Sequence, residues 1–309
     1  MNGLVRRIGR AVSDACNDNP VVRAAKNLRN EAIDRVYRRR RQDDGATFAA
    51  ELERRGVHRL CVAVAFNSPW VIDVLTAAWE LHPVGMALAV VDNSSRPAAR
   101  AEHQRICATR GVPWLGLPAN PEWSPNRSHG ITLNWIWHNV VRRLRPELVG
   151  FVDHDCFPIR PFDLPSRMNG VTVYGLRKAS WKYPEPWNVW AGYTFLRPAA
   201  IEAAEETFPA RIDFKHRIEY GLDTGGSNWL AIYRKLNSAR IGSATEGILP
   251  VDLGGGRPPL RVQLIDDTFA HLGGASYDAR FGDGDFRGRL LDAVWSGPLH
   301  GGRRLVAAA

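Results

Sequence analysis

The sequence predicts an α/β domain on a mostly parallel sheet, preceded by a basic helical extension. Two patterns carry that prediction. Short, apolar, β-branched runs at residues 60–66, 86–91 and 148–152 have the composition of strands buried on both faces. They alternate with longer amphipathic stretches, and strands alternating with helices build parallel sheets. A third observation bounds the size: 309 residues, 45% hydrophobic and 24% charged, are enough for one full core. The same composition excludes a disordered chain, a collagen and a disulfide scaffold. No apolar stretch approaches the roughly 20 residues that a membrane helix needs.

The first element is the extension. Residues 1–41 hold 11 Lys/Arg against 4 Asp/Glu, so +7 of the net charge of +9 sits there and the body is nearly neutral. Two amphipathic helices are expected. One places Leu4, Val5, Ile8, Ala11 and Val12 on a face; the other opens with Asn19-Pro20 and carries Val21, Val22, Ala25, Leu28, Ala32, Ile33 and Val36. Arg38 to Arg41 suit the end of that second helix. Two destinations fit such an arm: docking on the body through Val21, Leu28 and Val36, or an anionic membrane surface. A nucleic-acid partner is not expected, because its basic footprint would spread over the folded body. Arg6, Arg7 and Arg10 lack a following apolar region, so no secretory signal is expected. Cys16, Cys61, Cys107 and Cys156 show no metal or disulfide spacing. Reduced thiols and a cytoplasmic location follow as expectations, with peripheral attachment at the inner membrane face through residues 1–41.

The body follows in order. Residues 42–45 precede a short helix that ends near Gly56. Strand 60–66 leads to a helix over 68–81, strand 86–91 to a helix over 97–109, and strand 113–117 to a helix over 128–144. Strand 148–152 runs into Asp153-His154-Asp155. Strands at 171–176 and 193–196 flank a Trp-rich stretch with Trp181, Trp187 and Trp190, and glycine-rich connections dominate 221–256. The expected division is a helical extension at 1–57, a catalytic domain at 58–286 and a tail at 287–309.

Ligands of parallel sheets bind beyond the carboxyl ends of the strands. That rule selects Phe66-Asn67, Asp92 to Ser95, and Asp153-His154-Asp155. With 19 aspartates, chance alone supplies about one Asp-x-Asp, and the chain has two. Asp283-Gly284-Asp285 lies among glycines, where aspartate forms turns. Asp153 and Asp155 end a buried strand, where two carboxylates repel unless a cation or hydrogen bonds compensate. Oxygen ligands of this kind suit Mg²⁺ or Mn²⁺ bridging to phosphates. Ala65 to Pro69 contain no glycine, which excludes a dinucleotide turn, and no GxxxxGK[ST] occurs.

Phe66-Asn67, Val91-Asp92-Asn93-Ser94-Ser95, Ser128-His129-Gly130 with Asn134, and Phe151-Val152-Asp153-His154-Asp155 stand in an order that resembles the GT-A glycosyltransferases, family-2-like ones above all. The resemblance covers 58–200 well and 200–280 loosely. It implies a Rossmann-like GT-A fold and a metal-dependent transfer of sugar from a UDP- or GDP-type donor to a glycan or lipid-linked acceptor. By it, Phe66, Asn67, Asp92, Asn134, Asp153 and His154 bind the donor, and Asp153, Asp155 and His271 hold Mn²⁺ or Mg²⁺. Asp223 falls where inverting members place the general base, although Leu222 replaces the usual preceding glutamate; a helix N-cap is its other reading. Trp187 and Trp190 are candidate acceptor platforms, or else core. Two other functions fit the same pocket: a nucleotide-sugar phosphohydrolase, and a non-catalytic protein that binds the nucleotide sugar or a glycan.

Overall fold

A computed structural model describes residues 19–207, 211–251 and 259–296. The first predicted helix of the extension and Cys16 lie outside the described residues.

The central strand β1 (Arg59–Ala65) shows why a sheet forms. Its side chains alternate: Cys61, Ala63 and Ala65 pack into one apolar cluster, while Leu60, Val62 and Val64 pack into another on the opposite face. A strand covered on both faces can be apolar throughout. Beside it run β2 (Ala87–Asp92), β3 (Trp114–Gly116) and β4 (Leu148–Asp153), all parallel. After β4 come the short β5 (Cys156–Pro158), then β6 (Val173–Ala179), β7 (Trp187–Leu196) and β8 (Ile241–Ser243). The main sheet has the order β3-β2-β1-β4-β7-β6-β8, with β7 antiparallel to both its neighbours. A second, antiparallel sheet joins β5 to β11 (Phe269–His271), β10 (Leu260–Ile265) and β9 (Glu246–Val251).

Helices cover both faces. α1 (Pro20–Arg38) and α2 (Gln42–Arg54) precede the sheet; α3 (Pro69–Leu81) and α4 (Pro97–Thr109) are the crossovers between the first parallel strands. α5 (Pro125–Ile136) continues through a π-helical turn, Trp137–Val141. The expected helix over 128–144 therefore starts earlier, at a proline suited to the first turn, and is not uniformly α.

Residues 42–45, expected ahead of the short helix, form the first turn of α2 instead. Gly45 packs so closely on the π-turn that a Cβ there would meet the Asn139 Cβ at 2.7 Å. Phe48, Ala49 and Leu52 of α2 belong to the core, so the body begins before residue 58. At the other end, helix Gly284–Ser296 crosses the expected boundary at 286 and buries Leu290 and Val294. Asp283 accepts the Asp285 N–H at its start, as a turn-forming aspartate would.

Helix α1 docks on the body, but through a different face from the one its apolar residues suggest. The Asn19 side chain caps it through the Val21 and Val22 N–H groups. Tyr37 is fully buried, worth about 2 kcal/mol of transfer energy. Asp34 is buried too, paired with Lys215 at 3.3 Å and Arg38 at 3.1 Å. Val21, Leu28 and Val36, which docking through the apolar row would bury, are 75%, 73% and 56% exposed. The charged residues dock because they meet partners there; the aliphatic row is left facing outward. Among the described residues no helix is long and apolar enough to cross a membrane, and Cys61, Cys107 and Cys156 are buried free thiols.

Candidate active site

A cleft of about 780 Å³ opens over the carboxyl ends of β1, β2 and β4. Asp153 ends β4 and lines the cleft, and so do His154 and Asp155 just beyond the strand. His271, the last residue of β11, reaches the same point from the second sheet. Ligand atoms of Asp153, Asp155 and His271 lie within 4.8 Å of one another.

The hydrogen bonding around His271 shows what this group is built for. Its Nδ1 meets the Gln263 amide oxygen at 2.6 Å, which puts the proton on Nδ1. Nε2 then faces the carboxylates, 3.5 Å from Asp155 and 4.0 Å from Asp153. A lone pair turned toward two carboxylates is stable only with a proton or a cation among them. Two carboxylates and an imidazole are a donor set that fits Mn²⁺ or Mg²⁺. Burial pushes the Asp155 carboxyl up, but the His271 hydrogen bond and charge, His154 and the Ala275 N–H hold it well below the usual range. Burial pushes His271 down, and the bond and charge of Asp155, with Asp153, carry it above its ordinary value. The Trp190 ring packs on the His271 ring, centroids 4.7 Å apart. This tryptophan thus touches a candidate metal ligand instead of lining the cleft.

His154 is fixed from both nitrogens: Nδ1 donates to the Val64 carbonyl at 2.9 Å, and Nε2 lies 2.9 Å from the Ser276 hydroxyl. Ser276 also donates to the Phe66 carbonyl at 2.9 Å and accepts from Ser68 at 3.1 Å. The loop after β11 is therefore stitched to the ends of β1 and β4. Neither Ser276 nor Tyr277, which faces Phe66 at 6.2 Å between ring centroids, stands out in the sequence. His129 is brought in as well, its Nε2 3.8 Å from Asp153.

The rest of the wall consists of Asn93, Ser94, Ser95, Asn120, Glu122, Trp123, Asn126 and Ser128, among others. Asn126, which lines the cleft, donates to Asp223 at 2.9 Å and so ties that carboxylate to the cleft wall.

Four of the expected donor or acceptor residues are used elsewhere. Asp92 is fully buried and turned away: its oxygens take His103 Nδ1 at 2.9 Å and the Ser94 N–H at 2.7 Å. Burial raises its pKa, and the His103 and Ser94 hydrogen bonds bring it below the ordinary value. Asn134 is buried between Asp34, Asp213 and the Phe214 N–H, a joint between α1, α5 and the 212–215 segment. Asn67 adopts φ of 52° and spends its side chain on the N–H groups of Ser95 and Arg96, clasping the β1 and β2 ends together. Trp187 is a core residue of β7, stacked on Tyr233 at 5.5 Å with Arg177 over its ring at 4.1 Å. The loop-like stretch before 193 is strand from Trp187 onward.

The parallel order β3-β2-β1-β4 and the reversed β7 make a Rossmann-like α/β sheet, with an Asp-x-Asp at the end of β4 met by a histidine from the second sheet. No protein-family model matches the chain, and no curated protein does. Among solved structures it is similar to a mannosyltransferase, PcManGT from Pyrobaculum calidifontis in complex with GDP-Man and Mn²⁺, at 11% identity and TM-score 0.41, over 69% of this chain and 66% of that one. It is also similar to S. aureus TarS at 15% identity and TM-score 0.32, over 49% of this chain and 30% of that one. A third similarity is to the bifunctional glycosyltransferase WbbM, at 13% identity and TM-score 0.40, over 60% of this chain and 38% of that one. The chain thus spans less than two thirds of each. At such TM-scores no residue role is carried across; the chemistry of the site rests on its own geometry.

Proposed function

We propose that this protein is a metal-dependent glycosyltransferase that moves a sugar from a UDP- or GDP-type donor to a glycan or lipid-linked acceptor. The observation that carries the reading is the Asp153, Asp155 and His271 group, with His271 Nε2 turned toward both carboxylates. Asp153, Asp155 and His271 would hold Mn²⁺ or Mg²⁺. When bound, the ion supplies positive charge against the diphosphate and its departing negative charge. Asn93, Ser94, Ser95 and Ser128 offer neutral hydrogen-bonding groups for the nucleoside, in a cleft within the size range of ligand sites. Asp223 is the group that takes the acceptor hydroxyl proton, as the acceptor oxygen bonds to the anomeric carbon and the bond to the diphosphate breaks.

Thermal unfolding with Mn²⁺ and UDP, GDP, CDP or ADP tests the donor site. Linkage expects about 2.7 kcal/mol of stabilisation at a hundredfold excess over Kd for the correct nucleotide. Absence of a shift with all four would overturn the reading. Product analysis tests transfer: sugar released free while acceptors are present would replace transfer by hydrolysis, and binding without turnover would leave a non-catalytic protein.

We infer also that the outward face of α1 rests on an anionic lipid surface. Val21, Leu28 and Val36 form an exposed apolar row, with exposed Arg35 and Arg39 beside it and both acidic residues of the helix on the docked side. Each basic residue near such a surface is worth about 1 kcal/mol, screened over a Debye length of roughly 8 Å. Leu28→Glu should reduce co-sedimentation with phosphatidylserine vesicles severalfold without changing nucleotide binding. Equal pelleting by neutral and anionic vesicles would count against it.

A further inference from the structure

The cleft wall formed by residues 117–123 is irregular chain between β3 and α5, and an irregular segment needs props to keep one shape. Three of its props come from outside the transferase-like body. The Tyr37 hydroxyl donates to the Pro118 carbonyl at 3.1 Å, Arg40 to the Ala119 carbonyl at 3.2 Å, and Arg29 to the Glu122 carboxylate at 3.1 Å. Tyr37 and Arg29 belong to α1, and Arg40 lies just beyond its end.

Glu122 is the node. It is 6% exposed, and both oxygens are engaged: one by Arg29, the other by Arg127 and the Ser124 N–H, each at 3.1 Å. Arg127, the Ser124 N–H and Arg29 outweigh burial and hold the carboxyl below its ordinary range, so it stays charged. The Glu122 N–H in turn donates to Asn120 at 3.0 Å, and Asn120 donates to Asn93, Ser128 and Thr132. Asn93, Asn120, Glu122 and Ser128 all line the cleft. The far side of α1 is anchored separately, through Asp34 and Glu31 on Lys215. A fixed helix on one side and a cleft wall on the other make the Arg29–Glu122 pair a strut.

We propose that α1 is a structural part of the donor pocket, and that Arg29 and Glu122 are positioning residues that set nucleotide affinity by holding the 117–123 wall. The inference rests on the donor-site reading above. At metal sites, groups that orient the ligands from behind typically cost ten- to a hundredfold in metal affinity or activity when removed. The lower end of that scale is expected for a prop of the pocket wall. Here the strut acts on the wall and leaves Asp153, Asp155 and His271 untouched, so affinity should fall while turnover at saturation does not.

The test uses the full chain as wild type, Arg29→Ala, Arg29→Lys and Glu122→Gln, with GDP and UDP in the presence of Mn²⁺. Amide hydrogen exchange reports the wall directly, independently of any nucleotide. The expected result has three parts: faster exchange over 119–124 in Arg29→Ala and Glu122→Gln, about tenfold weaker nucleotide binding with kcat within about twofold, and recovery of most of the affinity in Arg29→Lys. Unchanged exchange, or faster exchange with unchanged Kd, overturns the inference while the donor site stands. Weaker binding with a matching loss of kcat also overturns it, since that pattern marks general damage. If wild type binds neither of these nor CDP or ADP, the donor-site reading fails and the inference falls with it.

Discussion

Asp153→Ala is expected to lower metal-stimulated sugar transfer by at least about 100-fold, the scale for removing a main stabiliser of developing charge. The melting temperature without nucleotide should hardly move. Asp153 is the cleaner of the two aspartates to remove, because among the described residues its oxygens make only distant contacts, 3.8 Å to His129 and 4.0 Å to His271. Asp155 is different. It is buried and accepts the Ala275 N–H at 3.1 Å, so truncating it also unhooks the loop after β11. Asp155→Asn keeps an oxygen for that N–H and removes the charge, and the same loss of transfer is expected from it. Stabilisation by Mn²⁺ with nucleotide should vanish in both variants. Asp285→Ala is the matched control: its Asp-x-Asp starts a helix and should leave activity unchanged. Transfer at the wild-type rate by Asp153→Ala would remove this group from the mechanism.

The sheet was legible because its cause is local. Strands β1, β2 and β4 are covered on both faces, so their apolar runs mark them within a residue or two. The helix over 97–109 matches α4 end for end, with Pro97 in its first turn and Gly111 just beyond it. Where the sequence leaves alternatives open, long-range pairing decides. Hydrophobic periodicity in α1 points to Val21, Leu28 and Val36, yet the docked face carries Asp34, stabilised by Lys215 from 181 residues away. Nothing local announces such a partner. Trp187 follows the same logic: the prolines at 184 and 186 leave platform and core both open, and the residue enters a long strand whose pairing with β6 is settled by the sheet.

The site divides in the same way. Asp153 and Asp155 could be named because carboxylates at a strand end need compensation whatever surrounds them; His271 follows from the family resemblance alone. Asp92 stands at an equivalent strand end and ends up buried, since His103 on α4 takes its charge. A partner eleven residues on, across a crossover helix, is invisible to a motif. Ser276 and Glu122 went unnoticed because their roles consist only of what they bridge: Ser276 joins His154 to the Phe66 carbonyl, and Glu122 joins Arg29 to Arg127.

Asp223→Asn carries the second large expectation, a drop in kcat for transfer of about 10²- to 10⁴-fold, the usual contribution of a positioned general base. Two bonds fall on one oxygen: Asn126 donates to Oδ1 at 2.9 Å and the Thr224 N–H at 2.8 Å. Among the described residues no hydrogen bond engages Oδ2, the oxygen that would take the acceptor proton. Asparagine can keep the Oδ1 contacts and places an NH₂ where the proton must go. Donor affinity should therefore stay within about twofold while kcat falls, the pattern of an interaction made in the transition state only. Hydrolysis of the donor by water should fall less than transfer, if the carboxylate acts on the acceptor. A single displacement with Asp223 as base inverts the anomeric centre, which product NMR reads directly. Wild-type kcat in the asparagine variant, or a product with retained configuration, would take the base role from Asp223 and leave it as a turn residue beside the cleft.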